Sequence, residues 1–169
     1  MKYKFEHEFP FDRKTVVAAM FEQGVGEALK PAMKTVLEIE TLARDEKDGR
    51  ITRRVRYLPV PAIKSVGPKK VEPRWMEWIE ESEADLATGA ISYRNVPTTH
   101  KIADLLRNSG TGRFEEIGPN RTRRVLEGEL KVDMFLVGAI AERYIAGFAK
   151  EILDDEAKAL SALIAGRKA

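Results

Sequence analysis

The last long stretch of the chain, from Asp133 to Ala165, has the periodicity of one continuous helix. Asp133 is a candidate N-cap, because its carboxylate can accept hydrogen bonds from free backbone N–H groups, and Gly166 is a typical helix-ending residue. At about 1.5 Å per residue the helix would be about 50 Å long. Its apolar face contains Met134, Val137, Ala141, Tyr144, Ile145, Phe148, Ile152, Ala159 and Leu163. One helix cannot bury such a face alone, so the rest of the chain must supply a broad apolar surface that covers it.

The chain before this helix has the alternation of polar and apolar residues that is typical of β-strands. The first predicted strand is Lys2–Phe9, and its apolar face consists of Tyr3, Phe5, His7 and Phe9. Two short helices are predicted next: Arg13–Phe21, capped by Asp12, and a second one that ends near Ala32. The dipeptide Asp48–Gly49 then predicts a hairpin turn.

Six further strands are predicted. They are Lys34–Arg44, Arg50–Leu58, Arg74–Ala84, Ala90–Val96, Arg113–Ile117 and Thr122–Val132. The segment Thr98–Asn108 fits a short helix or a bent strand extension equally well. The predicted fold class is therefore α+β, in a single domain that spans residues 1–169. It has a curved seven-stranded antiparallel sheet, two short helices after strand 1, and a long C-terminal helix packed across the sheet.

This order of elements resembles the START-like superfamily, also called the helix-grip or SRPBCC group. That group includes lipid-transfer domains, polyketide cyclases and aromatases, and plant pathogenesis-related allergens. Three stretches are similar to a bacterial branch of the superfamily: KYKFEHEFPFDRKTVVAAMF, DGRITRRVRY and RRVLEGELKVDMFLVGAIAERYI. The resemblance implies a cavity between the concave sheet and the C-terminal helix, which binds a hydrophobic small molecule or a lipid. It implies no invariant catalytic motif, so no catalytic residue is carried over.

The resemblance and the strand alternation together predict the side chains that line this cavity. They are Arg53, Val55, Tyr57, Trp78, Glu80, Tyr93, Arg124, Leu126, Val137, Ala141, Tyr144, Ile145, Phe148 and Ile152. Arg53 and Arg124 are candidates to bind a carboxylate or phosphate head group, with Glu80 as the partner in the absence of ligand. A register shift of one residue would instead turn these charged side chains to solvent. In a further alternative, the bulky side chains fill the interior as solid core.

The segment Pro59–Pro73 contains four prolines and has no clear periodicity. Loops of this length in compact domains are often lids. Val60, Ile63 and Val66 are the predicted gate residues, and the neighbouring lysines would allow transient contact with an anionic membrane. The alternative is a plain connection whose prolines reduce the conformational entropy of the unfolded chain.

Composition and motifs exclude several functional classes. The net charge of +2 does not predict a nucleic-acid partner, and the chain has no cysteine for a disulfide. Basic clusters at 53–56, 64–70 and 121–124 are predicted as solvated outer faces, with an RNA or membrane surface as the alternative. His7 and His100 lack partners at metal-ligand spacing, and no cofactor motif is present, so no metal or cofactor is expected. The chain has neither a signal-peptide pattern nor a membrane-span pattern, so the default location is the cytoplasm.

Three functions remain open at this stage. The first is a binding or transport module for a hydrophobic small molecule or lipid. The second is an enzyme of the polyketide cyclase or aromatase kind, in which groups such as Tyr93, Tyr144, His100 and Arg53 move protons in the same cavity. The third is a protein interaction module with a filled core. The oligomeric state and the identity of the ligand do not follow from the sequence.

Overall fold

The computed structural model describes residues 1–61, 65–66, 69–70, 72–136 and 138–168. In chain order the elements are β1 (Lys2–Phe9), α1 (Arg13–Met20), α2 (Val25–Leu29), β2 (Val36–Lys47), β3 (Arg50–Pro59), β4 (Ser65–Val66), β5 (Lys69–Lys70), β6 (Trp78–Asp85), β7 (Ile91–Pro97), α3 (His100–Ala103), β8 (Leu106–Gly118), β9 (Arg121–Val132) and α4 (Gly138–Lys168). Short 3₁₀ turns occupy Lys30–Ala32 and Pro73–Met76.

Seven of these strands form one antiparallel sheet in the spatial order β1-β9-β8-β7-β6-β3-β2. The first strand of the chain lies beside the last one, so α4 leaves the sheet next to β1. Strands β4 and β5 pair separately as a two-stranded ribbon. The predicted fold class, a seven-stranded antiparallel sheet with a long C-terminal helix, is confirmed.

Local sequence explains the first turns of the fold. Asp48 and Gly49 both have positive φ angles, of 52° and 76°, which a two-residue turn between twisted strands requires. The carboxylate of Asp12 accepts a hydrogen bond from the backbone N–H of Thr15 at 2.9 Å and so caps α1. Both features were predicted from the sequence and are confirmed.

The long helix begins at Gly138, four residues after Met134, the first helical residue of the prediction, so Asp133 is not its N-cap. The backbone N–H of Asp133 instead donates to the carbonyl of Leu105 at 2.8 Å, and its carboxylate pairs with Lys131 at 2.9 Å. The chain then turns through Leu136, which has a φ of 66°. Contacts with Leu105, just before β8, and with Lys131 of β9 therefore replace the capping role of Asp133.

Two other segments differ from the predicted boundaries. For Thr98–Asn108 the predicted alternatives were a short helix and a strand extension. The segment contains both, since it includes the short helix α3 and the start of β8. Strand β8 consequently begins at Leu106, seven residues before the predicted strand. Strand β6 begins at Trp78 rather than Arg74, because Pro73–Met76 form a 3₁₀ turn.

The hydrophobic core lies between one end of the sheet, the two short helices α1 and α2, and the second half of α4. We call this region the packed end, and its buried residues include Phe9, Val16, Phe21, Ile51, Phe114, Leu160 and Ile164. Asp155 joins α4 to the chain before β2. Its carboxylate accepts hydrogen bonds from the backbone N–H groups of Lys34 and Thr35 at 2.6 and 3.0 Å. This acidic residue on the apolar face of the helix therefore has a structural role.

Candidate ligand site on the inner face of the sheet

The inner face of the sheet, which is the face turned toward α4, is fully closed at the packed end. The enclosed space there has a volume of only about 20 Å³. Its lining includes Phe21, Leu29 and Tyr57. Such a space holds about one water molecule, so the packed end is solid core.

The other end of the inner face is less covered. Helix α4 packs mainly on β1 and β9, so β6 and β7 are left with accessible inner side chains. We call this region the open end, and its half-buried residues are Tyr3, Phe5, Trp78, Glu80, Tyr93, Asn95, Asn108, Ala141, Ile145 and Phe148. Trp78 stacks on Tyr57, with ring centroids 5.1 Å apart and planes inclined by 7°. Aromatic and aliphatic surface therefore dominates the open end.

Four polar side chains, Tyr3, Tyr93, Asn95 and Asn108, form a hydrogen-bonded group across this face, which we call the polar belt. The hydroxyl oxygens of Tyr3 and Tyr93 lie 2.9 Å apart. The Tyr3 hydroxyl donates to Oδ1 of Asn108 at 3.2 Å, and Nδ2 of Asn95 donates to the same oxygen at 3.0 Å. The belt thus joins strands β1, β7 and β8 at the level of the open end.

Two glycines allow the tyrosines to lie flat against the sheet. Gly110 of β8 and Gly128 of β9 are direct cross-strand partners. A Cβ atom at Gly110 would lie 2.6 Å from the hydroxyl oxygen of Tyr93, and one at Gly128 would collide with the hydroxyl of Tyr3. Glycine at both positions is therefore needed for the polar belt to form.

The belt is electrically neutral at physiological pH. Burial raises the pKa of the Tyr3 hydroxyl above its ordinary value of 10.0. Burial, together with the hydrogen bond to Tyr3, also raises the pKa of the Tyr93 hydroxyl. Both hydroxyls therefore stay protonated, and each keeps one hydrogen to donate.

Arg53 points inward, next to the open end, and is already fully engaged. Its side chain is 13% exposed and its Nη2 lies 3.3 Å from Oε1 of Glu80. Its Nε donates to the Ser82 hydroxyl at 3.1 Å and its Nη1 to the Met20 carbonyl at 3.2 Å. The guanidinium also lies 5.0 Å from the centre of the Phe21 ring. The inward orientation and the Glu80 partner agree with the inward-facing interpretation of the sequence.

Arg124 is buried in a second network, between β9, β1 and α4. Its Nη1 donates to Oε2 of Glu156 at 2.6 Å, and its Nη2 lies 3.3 Å from Nδ1 of His7. The other ring nitrogen of His7 lies 3.2 Å from Oδ1 of Asp154. Burial and the Arg124 charge lower the pKa of His7 to about 4. A neutral His7 therefore accepts from Arg124 and donates to Asp154.

The predicted lining residues lie in different environments. Four are buried in the core: Val55, Tyr57, Leu126 and Ile152. Six are half-buried at the open end: Trp78, Glu80, Tyr93, Ala141, Ile145 and Phe148. Tyr144 is 42% exposed, and Val137 lies outside the described residues. The two arginines are paired with Glu80 and Glu156, so a ligand carboxylate or phosphate would have to compete with these internal partners.

Of the predicted gate residues, Val60 is exposed and donates its backbone N–H to the Thr35 carbonyl at 2.9 Å. Ile63 lies outside the described residues, and Val66 belongs to the ribbon strand β4. The gate and the transient membrane contact therefore stay predictions. Among the described residues, none of the helices has the length and apolar character needed to cross a bilayer.

On the outer face, the basic clusters are paired with carboxylates. Arg54 lies 3.4 Å from Glu81, and Arg121 lies 2.7 Å from Glu8. The outer face also has an open groove of about 650 Å³, and its lining is mostly charged and polar. The prediction that these clusters lie on solvated outer faces is confirmed for Arg54 and Arg121. It is wrong for Arg53 and Arg124, which point inward and are paired with Glu80 and Glu156.

Sequence reasoning missed Asn95 and Asn108, and it placed Tyr3 on an apolar face without including it in the cavity. Alternation puts Asn95 on the same face as Tyr93, so that residue could have been found. Asn108 lies opposite Asn95 only because of the β7–β8 register. That register does not follow from residue spacing along the chain.

Comparison with known proteins shows the class of fold. The protein TTHA0849 from Thermus thermophilus matches over 100% of both chains, with 23% identity and a TM-score of 0.70. The Zhui aromatase/cyclase from Streptomyces sp. R1128 matches over 100% of this chain and 96% of its own, with 15% identity and a TM-score of 0.66. Norcoclaurine synthase from Thalictrum flavum also matches over 100% and 96%, with 17% identity and a TM-score of 0.70.

No protein-family model matches the sequence, and no curated protein matches it at a significant level. At identities below one quarter, the structural likenesses establish the fold alone. The chain has the START-like, helix-grip fold, as the sequence resemblance predicted.

Proposed function

We propose that the protein binds a hydrophobic small molecule or lipid at the open end, between the inner face of the sheet and the first half of α4. One observation carries the proposal: Trp78, Ile145 and Phe148 remain half-buried on the inner face while the packed end is closed. Contact of such apolar surface with water costs about 25 cal/mol per Å². Covering it with an apolar ligand is therefore favourable.

The composition of the open end supports this proposal. Small-molecule sites are mostly apolar, with a few polar groups that orient the ligand. The ring of Phe5 stacks on Tyr3 at 5.1 Å, and the polar belt supplies the polar groups beside these rings. Proteins of the same fold include one named as an aromatase/cyclase and one whose structure contains dopamine and hydroxybenzaldehyde.

The test uses the neutral fluorescent probe 1-N-phenylnaphthylamine. Wild-type protein should bind it with a rise in fluorescence. Ala141→Trp should weaken binding about tenfold or more, because the indole would occupy the half-buried space next to Ile145. The matched control is Ala139→Trp, because Ala139 is exposed on the same turn of α4.

Two results would contradict the proposal. One is an absence of probe binding by the wild type. The other is equal loss of binding in Ala141→Trp and Ala139→Trp. An absence of binding would favour the third function, an interaction module whose interior takes no ligand.

A second candidate is an enzyme that uses the same space. The observation in its favour is the Tyr93 hydroxyl, which lies on the half-buried inner face, is hydrogen-bonded to Tyr3 and could pass a proton to or from a bound ligand. Tyr93→Phe separates the two candidates. A cyclase-like enzyme would lose turnover of a poly-β-keto substrate and keep its affinity, whereas a carrier would show only a change in binding.

A further inference from the structure

The direction of the hydrogen bonds in the polar belt follows from the chemistry of its members. Oδ1 of Asn108 can only accept, so the single hydroxyl hydrogen of Tyr3 must point to it. The oxygen of Tyr3 is then the acceptor in the bond with Tyr93, and the Tyr93 hydroxyl is the donor. The hydrogen of Tyr93 is thereby committed, while its oxygen keeps a free lone pair.

Asn95, at the end of the belt, also has a side-chain oxygen that is free to accept a hydrogen bond. Its Nδ2 donates to Asn108, whereas its Oδ1 is buried and has no hydrogen-bond partner within the described part of the chain. Buried acceptors without partners are rare in folded proteins and call for an explanation. Because this oxygen has almost no accessible surface, a ligand that donates a hydrogen bond would satisfy it after the Asn95 side chain turns outward.

Glu80 adds a further acceptor to the same place. It is the direct cross-strand partner of Asn95, and its side chain is 22% exposed. Its Oε1 holds Arg53, which leaves the carboxylate with acceptor capacity and no hydrogen to donate. Tyr93, Asn95 and Glu80 therefore offer acceptors at the open end, while the hydroxyl hydrogens of Tyr3 and Tyr93 are already used. The side-chain amides of Asn95 and Asn108 carry further N–H hydrogens.

The charges beside the belt do not favour an anion. Arg53 is neutralised by Glu80, and Arg124 is neutralised by Glu156. Both guanidiniums hold carboxylates of the protein itself, so a carboxylate ligand would meet the charged Glu80 carboxylate and no excess positive charge. The anionic head group considered from the sequence is therefore disfavoured.

We propose that the polar belt and Glu80 select an apolar ligand that carries a neutral hydrogen-bond donor, such as a phenolic or alcoholic hydroxyl, and reject ligands of similar shape that carry a carboxylate or phosphate. This inference rests on the proposed binding function and specifies the chemical class of the ligand. The hydroxyl donates its single hydrogen to Oδ1 of Asn95 or to the Glu80 carboxylate while the ring system lies against Trp78.

Three probes with the same ring system test the proposal: 2-naphthol, 2-methoxynaphthalene and 2-naphthoate. Their affinities are measured by titration calorimetry at neutral pH. One added hydrogen bond should make 2-naphthol bind about tenfold more tightly than 2-methoxynaphthalene. The charge of 2-naphthoate should make it the weakest of the three, because it meets unpaired acceptors.

Two variants locate the selectivity in the belt. Asn95→Leu and, more conservatively, Tyr93→Phe should each reduce the ratio of naphthol to methoxynaphthalene affinity, and Asn95→Leu should bring it close to one. Ser92→Ala is the control, because Ser92 directly precedes Tyr93 on the exposed outer face of β7 and should keep the wild-type ratio. Circular dichroism checks that each variant is folded, and Tyr93→Phe provides the test if Asn95→Leu does not fold.

The outcomes separate this inference from the function on which it rests. Binding of all three probes without preference, or tighter binding of 2-naphthoate, would overturn the donor selectivity and leave the binding function standing. A naphthol preference that survives in both belt variants would overturn its assignment to the belt. Failure of all three probes to bind the wild type would overturn both the selectivity and the binding function.

Discussion

A change from about pH 7.5 to about pH 5 should destabilise the folded protein through one side chain, His7. This imidazole is 8% exposed and lies between Arg124 and Asp154. Burial and the Arg124 charge lower the pKa of His7 from 6.5 to about 4. The folded protein therefore resists protonation of His7 in a range where the unfolded chain takes up the proton.

The sign and size of the effect follow from proton linkage. Below about pH 6.5 the unfolded state binds more protons than the folded state, so the free energy of unfolding falls as the pH falls. The full difference between the two pKa values corresponds to about 3 kcal/mol, and about 2 kcal/mol of it is lost by about pH 5. Carboxyl groups contribute little in this interval, because their unfolded pKa values lie at or below about 4.3.

Urea unfolding at the two pH values measures this loss. The wild type and the control His100→Gln, which changes the exposed second histidine of the chain, should both lose about 2 kcal/mol. His7→Gln should lose almost none, since it removes the titrating group and keeps a donor and an acceptor. A flat wild-type profile, or an undiminished loss in His7→Gln, would refute the reasoning.

Other perturbations test the packing around the site. Glu156→Ala should cost about 3 kcal/mol, because it leaves the 3%-exposed guanidinium of Arg124 without its carboxylate. Glu8→Ala, in an exposed pair, should cost far less, because solvent screens its charges. Equal losses in urea unfolding would contradict the assignment of a buried ion pair to Arg124 and Glu156. Gly128→Ala should cost about 1–3 kcal/mol through its clash with Tyr3. Gly147 of α4 has open space around it, so Gly147→Ala should stabilise the folded protein by about 0.5–1 kcal/mol. Thermal melts in which Gly128→Ala is more stable than Gly147→Ala would contradict the assigned packing.

The strands and turns could be predicted because their causes are local. Alternation defined Lys2–Phe9 to the residue, and the Asp48–Gly49 turn needs only backbone conformations that those residue types favour. The start of α4 could not be predicted in this way. Asp133 has the right chemistry for an N-cap, but its carboxylate, which would cap the helix, pairs with Lys131. Its backbone N–H is held by the carbonyl of Leu105, a contact between segments distant in sequence. Periodicity contains no information about that competition.

In the candidate site as well, features with local causes could be predicted and contacts between distant segments could not. Alternation placed Trp78, Glu80 and Tyr93 on the inner face, as the structure has them. It could not show that α1 and α2 cover one end of that face, and so Val55 and Tyr57, predicted to line a cavity, are buried in solid core. The partner of Asn95 across the sheet depends on strand register, and register is set by the whole sheet.

The most direct test of the central claim, that ligands bind at the open end of the inner face, is a two-dimensional ¹H–¹⁵N NMR titration with 2-naphthol. We expect the largest shift changes at the indole N–H of Trp78 and the side-chain amide of Asn95, with the Trp75→Phe variant used to assign the indole signal. Resonances of Leu160 and Ile164, in the packed end, should stay unchanged. Shifts confined to outer-face residues such as Arg54, or no shifts at all, would contradict the account.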